Sequence, residues 1–347
     1  MAQPRYKILV VAPSWVGDMV MAQTLFKRLH QLHPSLDLDV LAPDWTIPLL
    51  SRMPEVREAI PNPFRHGEFK LGARYRLGQS LRARGYDQAI VLPNSWKSAL
   101  APFFAGIPTR SGYSGEMRWG LLNDRRKLEA LKLPLMVERF VALANAPGAA
   151  LQRPLPQPAL SVDESRRQST LTKLGLASGA KIAALCIGAE YGPAKRWPPQ
   201  HFAELGKQLR EQGYQVWLVG SAKDAAAGAE AAHLSDGACL DLCGKTSLDE
   251  AVDLLASASV IVSNDSGLMH VAAALGKPLV ALYGSSSPSF TPPLSQSAHI
   301  LSLNLECSPC FKRECPLGHL DCLLKLTPQR VLDEITVILK KEDHGPG

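Results

Sequence analysis

The residues best suited to chemistry fall in three short stretches, each a small polar or glycine-bearing loop after an apolar run. In Gly188-Ala189-Glu190-Tyr191-Gly192-Pro193-Ala194-Lys195-Arg196-Trp197-Pro198, two adjacent cations stand in a loop shaped by Gly and Pro. Lys195 offers a point charge and Arg196 a planar fork, a combination that suits a diphosphate. An exposed basic loop would have the same composition, and Trp197 reads as a hydrophobic plug. In Val260–His270, a β-branched run enters the turn Asn264-Asp265-Ser266-Gly267 and then an Ala-rich helical stretch. Unpaired backbone N–H groups at such a helix start, with Ser266 and Gly267 permitting close approach, make an anion site. Asp265 repels phosphate, so it suits a sugar hydroxyl or a helix cap. His270 stands one turn further on, as a ligand group or as a satisfied buried histidine. In Ala12–Asp18, Gly17 allows a sharp turn and Asp18 falls near a helix N-terminus, where it would either stabilise the helix or act on a substrate. That loop is neither a G-x-G-x-x-G fingerprint nor a Walker P-loop.

These loops need elements to hold them, and the chain supplies an alternating series. Tyr6–Pro13, Leu36–Pro43, Val56–Ile60 and Asp87–Leu92 read as strands, with helical patterns over 17–33 and 71–84 between them. Residues 146–162, with Pro147, Gly148, Pro154, Pro156 and Pro158, lose all periodicity and read as a linker. The alternation then restarts. Lys181–Gly188, Gln215–Gly220, Val260–Ser263 and Leu279–Tyr283 read as strands, and 200–212, 248–258 and 267–275 as helices. Short apolar strands separated by amphipathic helices predict parallel sheets covered on both faces. The expected class is α/β, with two doubly wound Rossmann-like domains facing a central cleft. Residues 1–162 form the first domain, including the linker, and 163–327 the second. Residues 328–347 form a last helix packing back toward the first domain, then a tail. Ligands of such sheets bind beyond the carboxyl ends of the strands, where all three loops fall.

The 347 residues exceed what one core usually supports, which agrees with two domains. Hydrophobic content of 46% with 20% charged residues argues against disorder. No apolar run reaches the roughly 20 residues a bilayer span needs, and Ile8–Ala12 is too short for a signal peptide core, so cytoplasmic residence is expected. The net charge of +6 is uneven. Residues 64–132 hold 13 Lys or Arg against 5 Asp or Glu, leaving −2 for the remainder. Solvated helix faces would explain the excess, as would an anionic partner such as a phosphorylated molecule or membrane surface. No zinc-finger, helix-turn-helix or RNA-platform pattern accompanies it, and nucleic acid is not expected.

Cys186, Cys239 and Cys243 are scattered and read as buried thiols. Cys307, Cys310, Cys315 and Cys322 follow C-x2-C-x4-C-x6-C. In a reducing compartment that spacing suits a structural zinc, or reduced thiols of a surface loop.

Ser14–Asp18, Leu92-Pro93-Asn94-Ser95-Trp96-Lys97-Ser98, Gly115–Asp124, Gly188–Pro198, Asn264–Gly276 and Ser285–Pro293 together resemble the bacterial heptosyltransferase family. The resemblance runs from about Lys7 to Leu294 and resumes near Thr327. It implies the GT-B fold and inverting transfer of L-glycero-D-manno-heptose from ADP-heptose to a heptosyl-Kdo2-lipid A acceptor. It also implies no catalytic metal, and a protein working peripherally at the inner face of the cytoplasmic membrane. It places the catalytic base on Asp18 and the diphosphate and donor-sugar contact on Lys195, which shares the catalytic assignment. Arg196, Asp265, Ser266, Gly267 and His270 fall in the donor site, with Asp224 as the counterpart of the ribose-binding acid. Asn94, Lys97 and Arg118 fall to the acceptor. Another family member acting elsewhere on the core, or a GT-B-shaped sugar-nucleotide epimerase, would share much of this pattern.

Overall fold

A computed structural model describes residues 5–65, 67–177 and 179–343. The chain forms two compact units that part between Pro158 and Ala159. The first holds strands β1 (Lys7–Val11), β2 (Asp37–Ala42), β3 (Glu58–Pro61), β4 (Gln88–Val91), β5 (Thr109–Tyr113) and β6 (Asp124–Arg126). The second holds β7 (Ile182–Cys186), β8 (Gln215–Val219), β9 (Cys239–Asp241), β10 (Val260–Asn264), β11 (Leu279–Tyr283) and β12 (Ala298–Ser302). Every pairing is parallel, and the orders are β3-β2-β1-β4-β5-β6 and β12-β11-β10-β7-β8-β9. Counted from its own first strand, each sheet therefore runs 3-2-1-4-5-6, the doubly wound order.

The central strands form where the sequence is apolar on both faces. β1, β7, β10 and β11 are almost wholly buried, as strands covered by helices on both sides must be. The edge strands β6, β9 and β12 carry polar residues and face solvent in part. In the second unit Trp197, Phe202, Leu205 and Leu209 share one core with Val331, Ile335 and Ile338 of the last helix, Pro328–Asp343. That helix packs on the Pro199–Glu211 helix and on β11 and β12.

The irregular stretch across the boundary is tied down at both ends. Arg28 donates to the carbonyl oxygens of Gln152 and Pro154, and Arg153 pairs with Glu138. The Leu160 amide bonds to the Ala274 carbonyl. Backbone groups that enter no helix or sheet find partners here instead.

In each sheet the chain reverses direction between the first and fourth strands, β1 and β4 or β7 and β10. The loops leaving those four strands are the ones the sequence marks: 12–18, 92–98, 188–198 and 264–267. Topology thus gathers them in pairs at the two switch points.

Candidate active site

At the switch point of the second unit, Asp265 leaves the end of β10 and is buried. Lys195 reaches it from the loop after β7, with Nζ 2.5 Å from Asp265 Oδ2. Lys195 also lies 5.3 Å from the centroid of the Tyr191 ring. Ser266 is extended and starts the Gly267–Ala274 helix; among the described residues its side chain bonds no first-turn amide. Its Oγ lies 3.3 Å from Ser263 Oγ. The helix therefore presents backbone donors beside an ammonium group, which is the electrostatics an anion requires.

Asn264 explains why the two loops meet. It is fully buried; its Oδ1 accepts from the Trp197 amide at 3.0 Å and its Nδ2 donates to the Ile187 carbonyl at 2.8 Å. Trp197 Nε1 in turn donates to the Leu326 carbonyl at 2.7 Å, fixing the plug by both of its donors. The sequence contained Asn264 in the turn but gave no sign of this role, because the bond spans 67 positions.

A second layer lies behind the Lys195 loop. The Ala194 amide bonds to the Arg313 carbonyl at 3.0 Å, and the Tyr191 hydroxyl donates to the Phe311 carbonyl at 2.9 Å. Gly192 is required by this contact, since a Cβ there would stand 2.5 Å from the Arg313 oxygen. Arg196 lies 3.6 Å from Asp224 and donates to the Ala189 carbonyl at 3.3 Å. Asp224 itself accepts from the amide and hydroxyl of Ser221 at 2.9 and 2.7 Å, starting the next helix. A Cβ at Gly188 would fall 2.4 Å from its carboxylate, so the end of β7 closes directly onto Asp224.

His270 is buried one turn into the helix. Burial holds its pKa down to about 4, against the opposing pull of Asp265 and with a smaller push from Lys195 in the same direction as burial. It is a neutral imidazole at physiological pH.

In the first unit, Asp18 is half-buried in the first turn of the Val16–Leu32 helix, directly after β1. Trp15 and Trp45 stand exposed nearby, and Trp45 Nε1 donates to the Ser14 carbonyl at 3.0 Å. After β4, Asn94 is exposed and Lys97 donates to the Gly67 carbonyl at 3.1 Å. Arg118 differs in kind. It is buried, donates to the carbonyls of Pro93 (2.8 Å) and Tyr113, and holds Asn94 Oδ1 at 3.1 Å. Its guanidinium clamps the 93–118 loops together, while its neighbours Met117 and Trp119 project into solvent.

The cysteines divide as their spacing suggested, but without a metal set. Cys186, Cys239 and Cys243 are buried, and burial pushes the Cys186 thiol up to about 12. Cys307, Cys310, Cys315 and Cys322 line one small cavity with His319 and Ala194. All four are free thiols. Among the described residues no three His, Cys, Asp or Glu side chains are placed to hold one metal ion. The expectation of a structural zinc thus finds no support among the described residues, although burial, then Cys307, Cys315 and Cys310, raise the Cys322 thiol. The Cys315 thiol is held below its usual range, chiefly by the Leu320 amide and then by those of Leu317, Gly318 and His319.

Two parallel doubly wound units of identical strand order define a two-domain α/β protein of the GT-B fold class. The family model "Glycosyltransferase family 9 (heptosyltransferase)" matches residues 74–321. The chain is 53% identical to lipopolysaccharide heptosyltransferase 2 of Escherichia coli (strain K12), over 97% of this chain and 99% of that protein. It is 47% identical to lipooligosaccharide heptosyltransferase 2 of Haemophilus influenzae, over 96% and 99% respectively. The solved structure of E. coli ADP-heptose lps heptosyltransferase II superimposes with a TM-score of 0.87 at 51% identity, covering 97% of this chain and 99% of that one. The chain belongs to glycosyltransferase family 9, the heptosyltransferases.

Proposed function

We propose that this enzyme moves L-glycero-D-manno-heptose from ADP-heptose to the first heptose of heptosyl-Kdo2-lipid A, with inversion at the anomeric carbon. The observation that carries the donor half is Lys195 paired with Asp265 at the start of the Gly267–Ala274 helix. ADP gains negative charge as the glycosidic bond breaks, and an ammonium group with oriented amides stabilises it. Donor and acceptor class are supported by the relatives whose names specify ADP-heptose and lipopolysaccharide heptosyltransferase 2 or II.

In this reading Asp18 takes the proton of the acceptor hydroxyl as it attacks the anomeric carbon, a contribution on the order of 10²–10⁴-fold. Lys195 and the amides after Ser266 hold the diphosphate, Asp265 and His270 face the donor sugar, and Arg196 with Asp224 serves the nucleoside side. Asn94 and Lys97 contact the acceptor. Arg118 acts through them, holding Asn94 in place. The proposed chemistry routes no step through a metal or cofactor. The acceptor is a lipid, so we place the enzyme at the cytoplasmic surface of the inner membrane. Among the described residues no helix is long and apolar enough to cross a bilayer.

The deciding experiment incubates the enzyme with ADP-heptose and heptosyl-Kdo2-lipid A and reads products by mass spectrometry. One added heptose, with ADP formed only when acceptor is present, is expected. Equal ADP formation without acceptor, or efficient transfer to Kdo2-lipid A lacking heptose, would overturn the assignment.

A further inference from the structure

The basic stretch of the first unit carries an apolar surface that the chemistry above does not use. The Leu71–Arg82 helix turns Leu71 and Tyr75, four residues apart, to solvent at 46% and 50% exposure. Further along the same face it meets the Leu100–Phe104 helix closely. A Cβ on Gly78 would stand 2.4 Å from Phe104 Cβ, so the two helices present one continuous surface. Phe104 links them, lying 5.4 Å from the Tyr75 ring and 5.6 Å from Phe103, which is itself 40% exposed. Phe69, 43% exposed, extends the patch at its other end and packs 5.0 Å from Trp96.

Cations border these rings. Lys70, Arg76 and Arg82 are exposed, whereas Glu68, the carboxylate beside them in sequence, pairs with Lys70 at 2.9 Å. Exposed aromatic and leucine side chains set among Arg and Lys match a bilayer interface: rings settle at headgroup depth and cations meet lipid phosphates. A soluble protein partner would explain the apolar area but not the excess of eight cations over acids across residues 64–132.

We propose that the Phe69–Arg82 segment with Phe103 docks on an anionic lipid bilayer, holding the enzyme where its acceptor resides. The proposal deepens the lipid-acceptor reading and rests on it. Co-sedimentation of the full chain with vesicles tests it, comparing phosphatidylglycerol-containing with pure phosphatidylcholine vesicles. Binding is expected to the anionic vesicles and to fall with added salt. Phe69→Ser/Leu71→Ser/Tyr75→Ser should lower the partition coefficient by at least ~10-fold, and so should Arg76→Glu/Arg82→Glu. Both variants should retain full transfer to a deacylated, water-soluble acceptor, which also certifies their fold. Vesicle binding unchanged in the two variants, or equal binding of the native chain to neutral vesicles, would overturn the docking face. Vesicle binding lost in the variants while the native chain fails to transfer heptose would leave the face standing and reject the transfer reading instead.

Discussion

Lys195 Nζ lies 2.5 Å from Asp265 Oδ2, joining the ends of β7 and β10 across the switch point of the second sheet. Both side chains are largely shielded from water, so each is the other's main compensation. In the proposed reaction the donor diphosphate competes with Asp265 for Lys195, and a sugar hydroxyl takes the place of Lys195 on Asp265.

Lys195→Ala is therefore expected to lower kcat/KM for ADP-heptose by at least ~100-fold, about 2.7 kcal/mol. It should also lower Tm, because it leaves the Asp265 carboxylate buried without its cation. Lys195→Ala combined with Asp265→Asn should be much less than additive in stability. Steady-state kinetics and thermal melts of the three variants check this, and strict additivity would show the pair to be uncoupled.

Asp18→Ala removes the proposed base and changes no residue of the second unit. Transfer should fall by at least ~100-fold while the dissociation constant for ADP-heptose changes less than about threefold. Calorimetric titration of the donor beside single-turnover kinetics separates the two effects. A comparable loss in donor affinity would assign Asp18 to binding.

Asn264→Leu should unfasten the two donor loops. The Trp197 amide and Ile187 carbonyl would each be left buried without a partner, at about 1–3 kcal/mol apiece. The expected signature is a fall in Tm together with a raised KM for ADP-heptose, since the Lys195 loop would lose its anchor. An unchanged KM in a folded variant would confine Asn264 to a stability role.

His270 makes stability depend on pH with a definite sign. Its folded pKa, about 4, lies below the ordinary value of 6.5, so the unfolded chain binds more protons between those limits. The contribution is fully present above pH 6.5 and is lost as pH falls toward 4, reaching about 3 kcal/mol. Denaturant unfolding from pH 7.5 to 4.5 should show this slope, and His270→Phe should flatten it. An identical slope in the variant would place the acid sensitivity elsewhere.

Thiol reactivity should follow the environments of the seven cysteines. The four of the 307–322 segment are expected to react with a disulfide reagent in the native protein, Cys315 first, because backbone amides favour its thiolate. Cys186, Cys239 and Cys243 should react only on unfolding. Chelator treatment should leave Tm unchanged. A chelator-induced fall of several degrees would show that the thiols hold a metal.

Much of the scaffold was legible as pattern. Leu279–Tyr283 is the expected strand to the residue, and the predicted 200–212 and 248–258 helices fall within a residue of those found, Pro199–Glu211 and Leu248–Ser257. Central strands are apolar on both faces and helices are not, so local sequence separates them. The outer strands β5 and β6 and the edge strands β9 and β12 escaped notice. Thr109–Tyr113 and Asp124–Arg126 are polar and short, and become strands only because a neighbour offers its ladder.

The sequence by itself determined that the chain alternates strand and helix in two series, and that polar, glycine-bearing loops follow particular strands. It also marked Lys195, the Asn264–Gly267 turn and Asp18 by residue type, because charge and backbone freedom are properties of single positions. Only the tertiary structure decided that Lys195 meets Asp265, that Asn264 fastens Trp197, and that Arg118 is a buried clamp with exposed neighbours. It also decided that the loop after β7, through Ala194, meets the cavity lined by the four closely spaced cysteines. Each of these depends on which chain segments the sheet order brings together across tens of positions, and spacing along the chain does not encode distance in space.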